Sequence, residues 1–173
     1  FNNDPLSIER QIKSDSPEHT WNVVLISVES FSGDYLKRFG NKENITPYLD
    51  SLIPHGLWFD QFYASGTRTV RGLEALSMGI PPTPGQSIVR RPDNDDMYTM
   101  GSVLKTKGYD VHYIYGGNSF FDNMGKYFSN SGYTVLDQRD IPDSLVHLTT
   151  AWGCDDEAAF NYTLQQCDKR FNS

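Results

Sequence analysis

No window of the sequence holds the roughly 18 consecutive apolar residues that a membrane-spanning helix needs, and the amino-terminal stretch FNNDPLSIERQIKSDSPEHT is polar. Any membrane anchor therefore belongs to a part of the protein other than this chain. Phe1 is not an initiator methionine and no signal peptide precedes it, which predicts a segment of a longer protein. Basic residues are also scarce: 15 Lys plus Arg stand against 22 Asp plus Glu, a formal net charge of −7. That balance argues against nucleic acid as a partner, although local cations can still hold a phosphate. The two cysteines, Cys154 and Cys167, bound CDDEAAFNYTLQQC. In a helix rising about 1.5 Å per residue they stand too far apart for a disulfide. No Cys/His spacing resembles a zinc site. G-x-G-x-x-G, G-x-x-x-x-G-K-[ST] and G-x-S-x-G are all missing, so dinucleotide binding, P-loop chemistry and the nucleophile elbow lose support.

What is present is enough for one compact core: 173 residues, 38% apolar and 13% aromatic. WNVVLISVES (21–30) is a continuous, β-branched apolar run that predicts a central strand buried on both faces. ITPYLDSLIPHG reads as a short helix with Thr46 as N-cap and Pro47 in its first turn. LWFDQFYA (57–64) alternates as a strand does, and VRGLEALSMG (70–79) follows as a helix ending at Gly79. Asp96 is the expected N-cap of a helix reaching about Lys107, followed by the strand DVHYIYG. NSFFDNMGKYFSNSGY predicts a helix closed by Gly132, TVLDQRDIP a short strand and loop, and DDEAAFNYTLQQCDKRF a last helix. The alternation predicts an α/β fold whose mainly parallel sheet is flanked by helices, with 1–20 as a polar lead-in and 21–173 as one domain.

Ligands of open α/β sheets bind beyond the carboxyl ends of strands, which directs attention to ESFSGD, SGTRT and YGGNSFFDN. Glu29 ends an apolar run, where a carboxylate must be solvated, paired or bound to a metal. Thr67 and Thr69 stand where a loop becomes a helix. Either is a suitable N-cap, and either could present its hydroxyl to an anion drawn by the amide groups and positive dipole of a helix start. Arg68 and Arg71 add charge for the same anion. The third cluster supplies Tyr115, Asn118, Asp122 and Asn123, with Phe120 and Phe121 between them as residues more often of a core than of a binding wall, and with Gly116 and Gly117 either admitting a ligand to the backbone or forming an ordinary turn. His112, within a strand, reads as structural.

Taken in order, NVVLISVES, ITPYLDSL, WFDQFYASGTRTVRGLEAL, VLKTKGYDVHYIYGGNSFFDN and WGCDDEAAF resemble the amino-terminal part of the sulfatase-like domain of the alkaline phosphatase superfamily. Within it the sequence is most similar to the lipoteichoic acid synthase and phosphoglycerol transferase group. The resemblance, over roughly residues 20–165, implies an alkaline-phosphatase-like fold present in part. It implies Glu29 as a metal ligand and Thr69 as both metal ligand and nucleophile, with Thr67 left to support the loop. It further implies transfer of phosphoglycerol from a lipid donor to a glycan or lipid acceptor through a threonine-bound intermediate. The enzyme would be extracytoplasmic, at the outer face of a membrane through an anchor elsewhere in the parent protein.

The family completes its metal site with an Asp-His pair near the carboxyl end of the domain, which this chain does not supply. The isolated chain is therefore expected to be inactive, and a truncated module without catalysis is the non-enzymatic alternative. One carboxylate and one hydroxyl leave Mn, Mg and Zn open as the divalent metal. Lipoteichoic acid synthases carry a histidine, a tryptophan and an arginine for the glycerol phosphate; this sequence has Tyr115, Phe121 and Asn123. Sulfate-ester hydrolysis needs C/S-x-P-x-R, which TVRG does not match. A phosphoethanolamine transferase shares the G-T-x-T setting but tends to carry cysteines nearby, and none is here. A phosphoester hydrolase, in which water resolves the intermediate, stays open.

Overall fold

The computed structural model describes residues 15–171; the first fourteen residues of the expected lead-in lie outside them. The chain divides into two compact units, Phe1–Gly56 and Leu57–Ser173.

In the first unit, α1 (Pro47–Leu52) forms where Pro47 presets the helical backbone. Thr46 precedes it as expected but makes no capping bond to the helix; its hydroxyl donates to Tyr35 O and to Asp50 Oδ2, each at 3.0 Å. Asp50 Oδ1 also accepts the Lys37 amide at 3.1 Å, which ties α1 to the short 3-10 turns Gly33–Tyr35 and Lys37–Phe39. Residues 21–30 correct the strand expectation. They lie outside any strand, and Trp21, Val23, Val24, Leu25, Ile26 and Val28 are exposed. A β-branched apolar run suits a strand, but a strand needs a neighbouring strand for its N–H and C=O groups, and no sheet of the described residues includes this run.

The second unit holds the α/β framework: α2 (Thr69–Met78), α3 (Met100–Thr106), β1 (His112–Ile114), α4 (Met124–Asn130), β2 (Thr134–Leu136) and α5 (Asp156–Phe171). β1 and β2 are parallel, with Tyr113 opposite Val135, and α4 makes the crossover between them. A hairpin, β3 (Thr149–Thr150) with β4 (Gly153–Cys154), was not expected from the sequence. The strand expected at 57–64 is absent; Leu57, Phe59, Phe62 and Tyr63 are exposed there.

Helix signals fared better because they are local. α2 ends at Gly79, whose φ of 68° is the left-handed C-cap that glycine adopts without a Cβ penalty. The cap of α3 is corrected from Asp96 to Thr99: Thr99 Oγ1 accepts the Ser102 amide at 3.0 Å while Ser102 Oγ accepts the Thr99 amide at 2.8 Å. That reciprocal pair satisfies two otherwise orphaned donors, and it starts the helix one turn later. The stretch after β1 begins as a 3-10 turn, Phe121–Asn123, and becomes helical only at Met124, since Asp122 and Asn123 sit at φ 53° and 64°.

Val70, Leu73, Val89, Met124, Tyr127 and Phe128 form the main core between α2, α4 and the 3-10 turn Ile88–Arg90. Burying side chains of this kind contributes about 1.5–3 kcal/mol each. Phe128 stacks on Tyr113 of β1 with ring centroids 3.8 Å apart, locking α4 onto the strand. A second cluster, Ile141, Ala158 and Tyr162, seats α5. Cys154 and Cys167 are free thiols, although Cys154 lies in β4 and not in the helix expected to hold both. No described helix is long and apolar enough to cross a membrane.

Candidate functional site

Thr69 is the first residue of α2. The N-cap position belongs to Arg68, in extended conformation, and no side chain caps the helix there. Neither threonine therefore serves as the cap that its residue type and position suggested. Thr69 is half-buried, whereas Thr67 and Arg68 are exposed. Directly below, Val70 and Leu73 anchor the helix in the core, so the position of Thr69 is set by packing.

Arg71 lies in the first turn of the same helix but faces inward. Its guanidinium donates to Glu74 Oε1 at 3.0 Å, to Thr83 O at 2.8 Å and to Gly85 O. Glu74 is fully buried and also accepts Ser87 Oγ at 2.6 Å and the Ile88 amide at 2.7 Å. Burial alone would raise the Glu74 carboxyl, but the bonds from Ser87, Arg71 and Ile88 outweigh it and hold the group below its usual value. The charge of Arg71 is thus engaged in fixing α2 to the 83–88 loop. Arg68 is the arginine left at the surface.

The loop after β1 carries the other expected residues, and the structure brings them onto one stretch. Tyr115 packs beside the core, near-parallel to Tyr113 with centroids 6.3 Å apart. Asn118 is exposed and folds back, its Oδ1 accepting the Phe120 amide at 3.0 Å. Phe121 meets Trp152 of the β3–β4 turn edge to face at 5.8 Å. Asn123 Nδ2 donates to Val89 O at 3.0 Å, and Asp122 pairs with Arg90 at 3.3 Å. Phe120, Asp122 and Asn123 form one wall of an open cleft of about 520 Å³ whose other walls include Gln86, Arg90 and Lys126.

Gly117 has no room for a side chain because the Trp152 carbonyl lies against it, and the Cys154 amide donates to Gly116 O at 2.9 Å. The two glycines thus admit the β3–β4 hairpin to the backbone. His112 Nε2 donates to Asp110 Oδ1 at 3.0 Å, and burial lowers its pKa, consistent with a structural role.

Glu29 is exposed in the first unit, with the Ser30 hydroxyl 3.4 Å from Oε1, while Thr69 belongs to the second unit. Among the described residues, no three His, Cys, Asp or Glu side chains gather to hold a metal ion. The donor chemistry of Glu29 and Thr69, two hard oxygens, fits a divalent cation in kind; in number it falls short of the roughly four to six donors such ions take.

Sequence reasoning missed Asp137 and Arg139 behind the β1 loop, and Glu74 on the buried face of α2. Asp137 directly follows β2. Extending the strand-end rule to that short strand would have found it.

The chain is similar to several known proteins. Two relatives are each named phosphoglycerol transferase I. The one from Xanthomonas euvesicatoria pv. vesicatoria (strain 85-10) is 30% identical over 98 residues, and the one from Xanthomonas axonopodis pv. citri (strain 306) 28% identical over 101 residues. Each match covers 51% of this chain and 14% of the relative. A solved alkaline phosphatase superfamily protein from Vibrio parahaemolyticus superposes with a TM-score of 0.69 at 32% identity. The lipoteichoic acid synthase LtaP from Listeria monocytogenes does so at 0.66 and 15%, a likeness of fold. Both superpositions cover 73% of this chain and 31% of the solved one, so the chain spans well under half the length of each relative. The sulfatase family model matches residues 21–172, and the chain belongs to that family, with an alkaline-phosphatase-like α/β fold.

Proposed function

We propose that this chain is part of a metal-dependent phosphoryl-group transferase that moves phosphoglycerol from a lipid donor to a glycan or lipid acceptor. The observation that carries the reading is Thr69, at the first position of a helix whose amino end no side chain caps, in a chain of the sulfatase family. The phosphoglycerol transferase I relatives support the choice of the transferred group.

Thr69 Oγ1 attacks the donor phosphorus, an O–P bond forms, and the bond to diacylglycerol breaks with a proton going to the departing oxygen. The acceptor hydroxyl then attacks the same phosphorus and returns Thr69 to its starting form. A threonine hydroxyl is a weak nucleophile near neutral pH, and a divalent cation at Glu29 and Thr69 would supply its activation. The positive end of the α2 dipole favours the phosphoryl charge, and exposed Arg68 adds to it. Tyr115, Asn118, Phe121 and Asn123 contact the donor headgroup. The working enzyme acts outside the cytoplasm at a membrane surface, and nucleic acid is not a partner.

The test is turnover of a labelled phosphoglycerol lipid by the complete protein, with and without glycan. Wild type should label the glycan, and Thr69→Ala should abolish turnover while the fold persists. Loss in Thr67→Ala with retention in Thr69→Ala would move the nucleophile. Release of free glycerol phosphate alone, with glycan present, would make the enzyme a hydrolase. Glu29→Ala should weaken metal binding.

A further inference from the structure

The loop between β1 and α4 that carries the headgroup residues is held from behind by a carboxylate with no part in the chemistry above. Asp137 is 1% exposed, yet donors meet both of its carboxylate oxygens. Its Oδ2 accepts the Ser119 amide at 3.1 Å, the Ser119 hydroxyl at 2.7 Å and Arg139 Nη2 at 2.7 Å. Its Oδ1 accepts Arg139 Nε at 2.9 Å and the Arg139 amide at 3.0 Å. The Arg139 fork is therefore bidentate, and the same guanidinium lies over the Phe120 ring, 5.0 Å from its centroid. Adjacent residues add the Gln138 amide to Gly117 O at 3.1 Å and the Gly125 amide to Ser119 O at 2.7 Å. Asp137 and Arg139 thus grip Ser119 and Phe120, between Asn118 and Phe121. The hydrogen bonds of Arg139, with those of Ser119, hold the Asp137 carboxyl well below the usual range despite its burial, so the grip persists into mildly acidic conditions.

We propose that Asp137 and Arg139 are positioning residues, which hold the 116–123 loop in the form that presents Asn118, Phe121 and Asn123 to the donor headgroup. This rests on the proposed function, because it assigns the loop to the headgroup. Neither residue touches the phosphorus or Thr69 in the reaction as drawn, so their loss acts on binding more than on the chemical step.

The complete protein is assayed on labelled phosphoglycerol lipid, with amide hydrogen exchange measured across 116–123. Arg139 is 57% exposed on its side chain, and in Arg139→Ala the buried Asp137 keeps both Ser119 donors; circular dichroism and a urea midpoint establish that the variant is folded before KM and exchange are read. Arg139→Ala should raise KM for the donor about tenfold, with kcat held within about twofold, and speed exchange at Ser119 and Phe120. Arg139→Lys keeps the charge but not the fork, and should rescue little. Asp137→Asn should act in the same direction. Faster exchange with an unmoved KM would make the grip structural and overturn the proposal, as would unchanged exchange. A wild type that turns over no phosphoglycerol lipid would instead remove the underlying function, and this inference with it.

Discussion

Replacing Glu74 with alanine tests whether α2, and with it Thr69, is held by the buried carboxylate. Glu74 has three donors within 3.0 Å, from Ser87 Oγ, the Ile88 amide and Arg71. Removing one member of a buried ion pair costs about 3–5 kcal/mol, since the partner charge is left uncompensated. Here the partners are partly insured: Arg71 keeps the Thr83 and Gly85 carbonyls, and Ser87 keeps Val70 O at 3.2 Å. The half-buried Ile88 amide loses this acceptor, at no more than about 1–3 kcal/mol for an unsatisfied donor. The expected cost of Glu74→Ala is therefore near the lower end, about 3 kcal/mol. Glu74→Gln retains an acceptor oxygen for Ser87 or Ile88 but turns an amide toward Arg71, for about 1–2 kcal/mol. Urea unfolding of the full chain, followed by tryptophan fluorescence and circular dichroism, reads both. A cost below about 1 kcal/mol for Glu74→Ala, or a larger one for Gln than for Ala, would refute the reasoning.

Gly101→Ala drives a Cβ into the Tyr133 ring, whose hydroxyl accepts the Gly101 amide at 2.9 Å, and should destabilise the chain by about 1–3 kcal/mol; an unchanged urea midpoint would contradict the contact. Asp155 is held down to about 2 by the backbone amides of Leu148, Ala158 and His147, which it ties to the start of α5. Because the folded value lies below the unfolded one, its contribution is fully present above about pH 4 and is lost as pH falls toward 2. Asp155→Ala should accordingly lower Tm at pH 7, with the difference from wild type closing through that window; a pH-independent difference would contradict the linkage.

The helices were legible because their signals are local. Gly79 ends α2 where the sequence places a stop, and the acidic start of DDEAAF opens α5. Strands depend on distant partners, so an apolar run such as 21–30 states an affinity without stating a neighbour. Only three residues of DVHYIYG pair, in register with Thr134–Leu136. At the site, the position of Thr69 at a helix start could be read from GTRTVRG. The inward turn of Arg71 could not, because it depends on the 83–88 loop returning to Glu74. Asp137 was hidden for the same reason: its partner Ser119 is 18 residues away in sequence.

The central claim is that Thr69 becomes covalently linked to the transferred group. Rapid quenching of the complete protein with phosphoglycerol lipid, followed by mass spectrometry of its peptides, reads that link directly. A glycerophosphoryl adduct on Thr69, absent in Thr69→Ala and discharged by acceptor, is the predicted result. An adduct on Thr67, or turnover by wild type with no adduct on any threonine, would contradict the account.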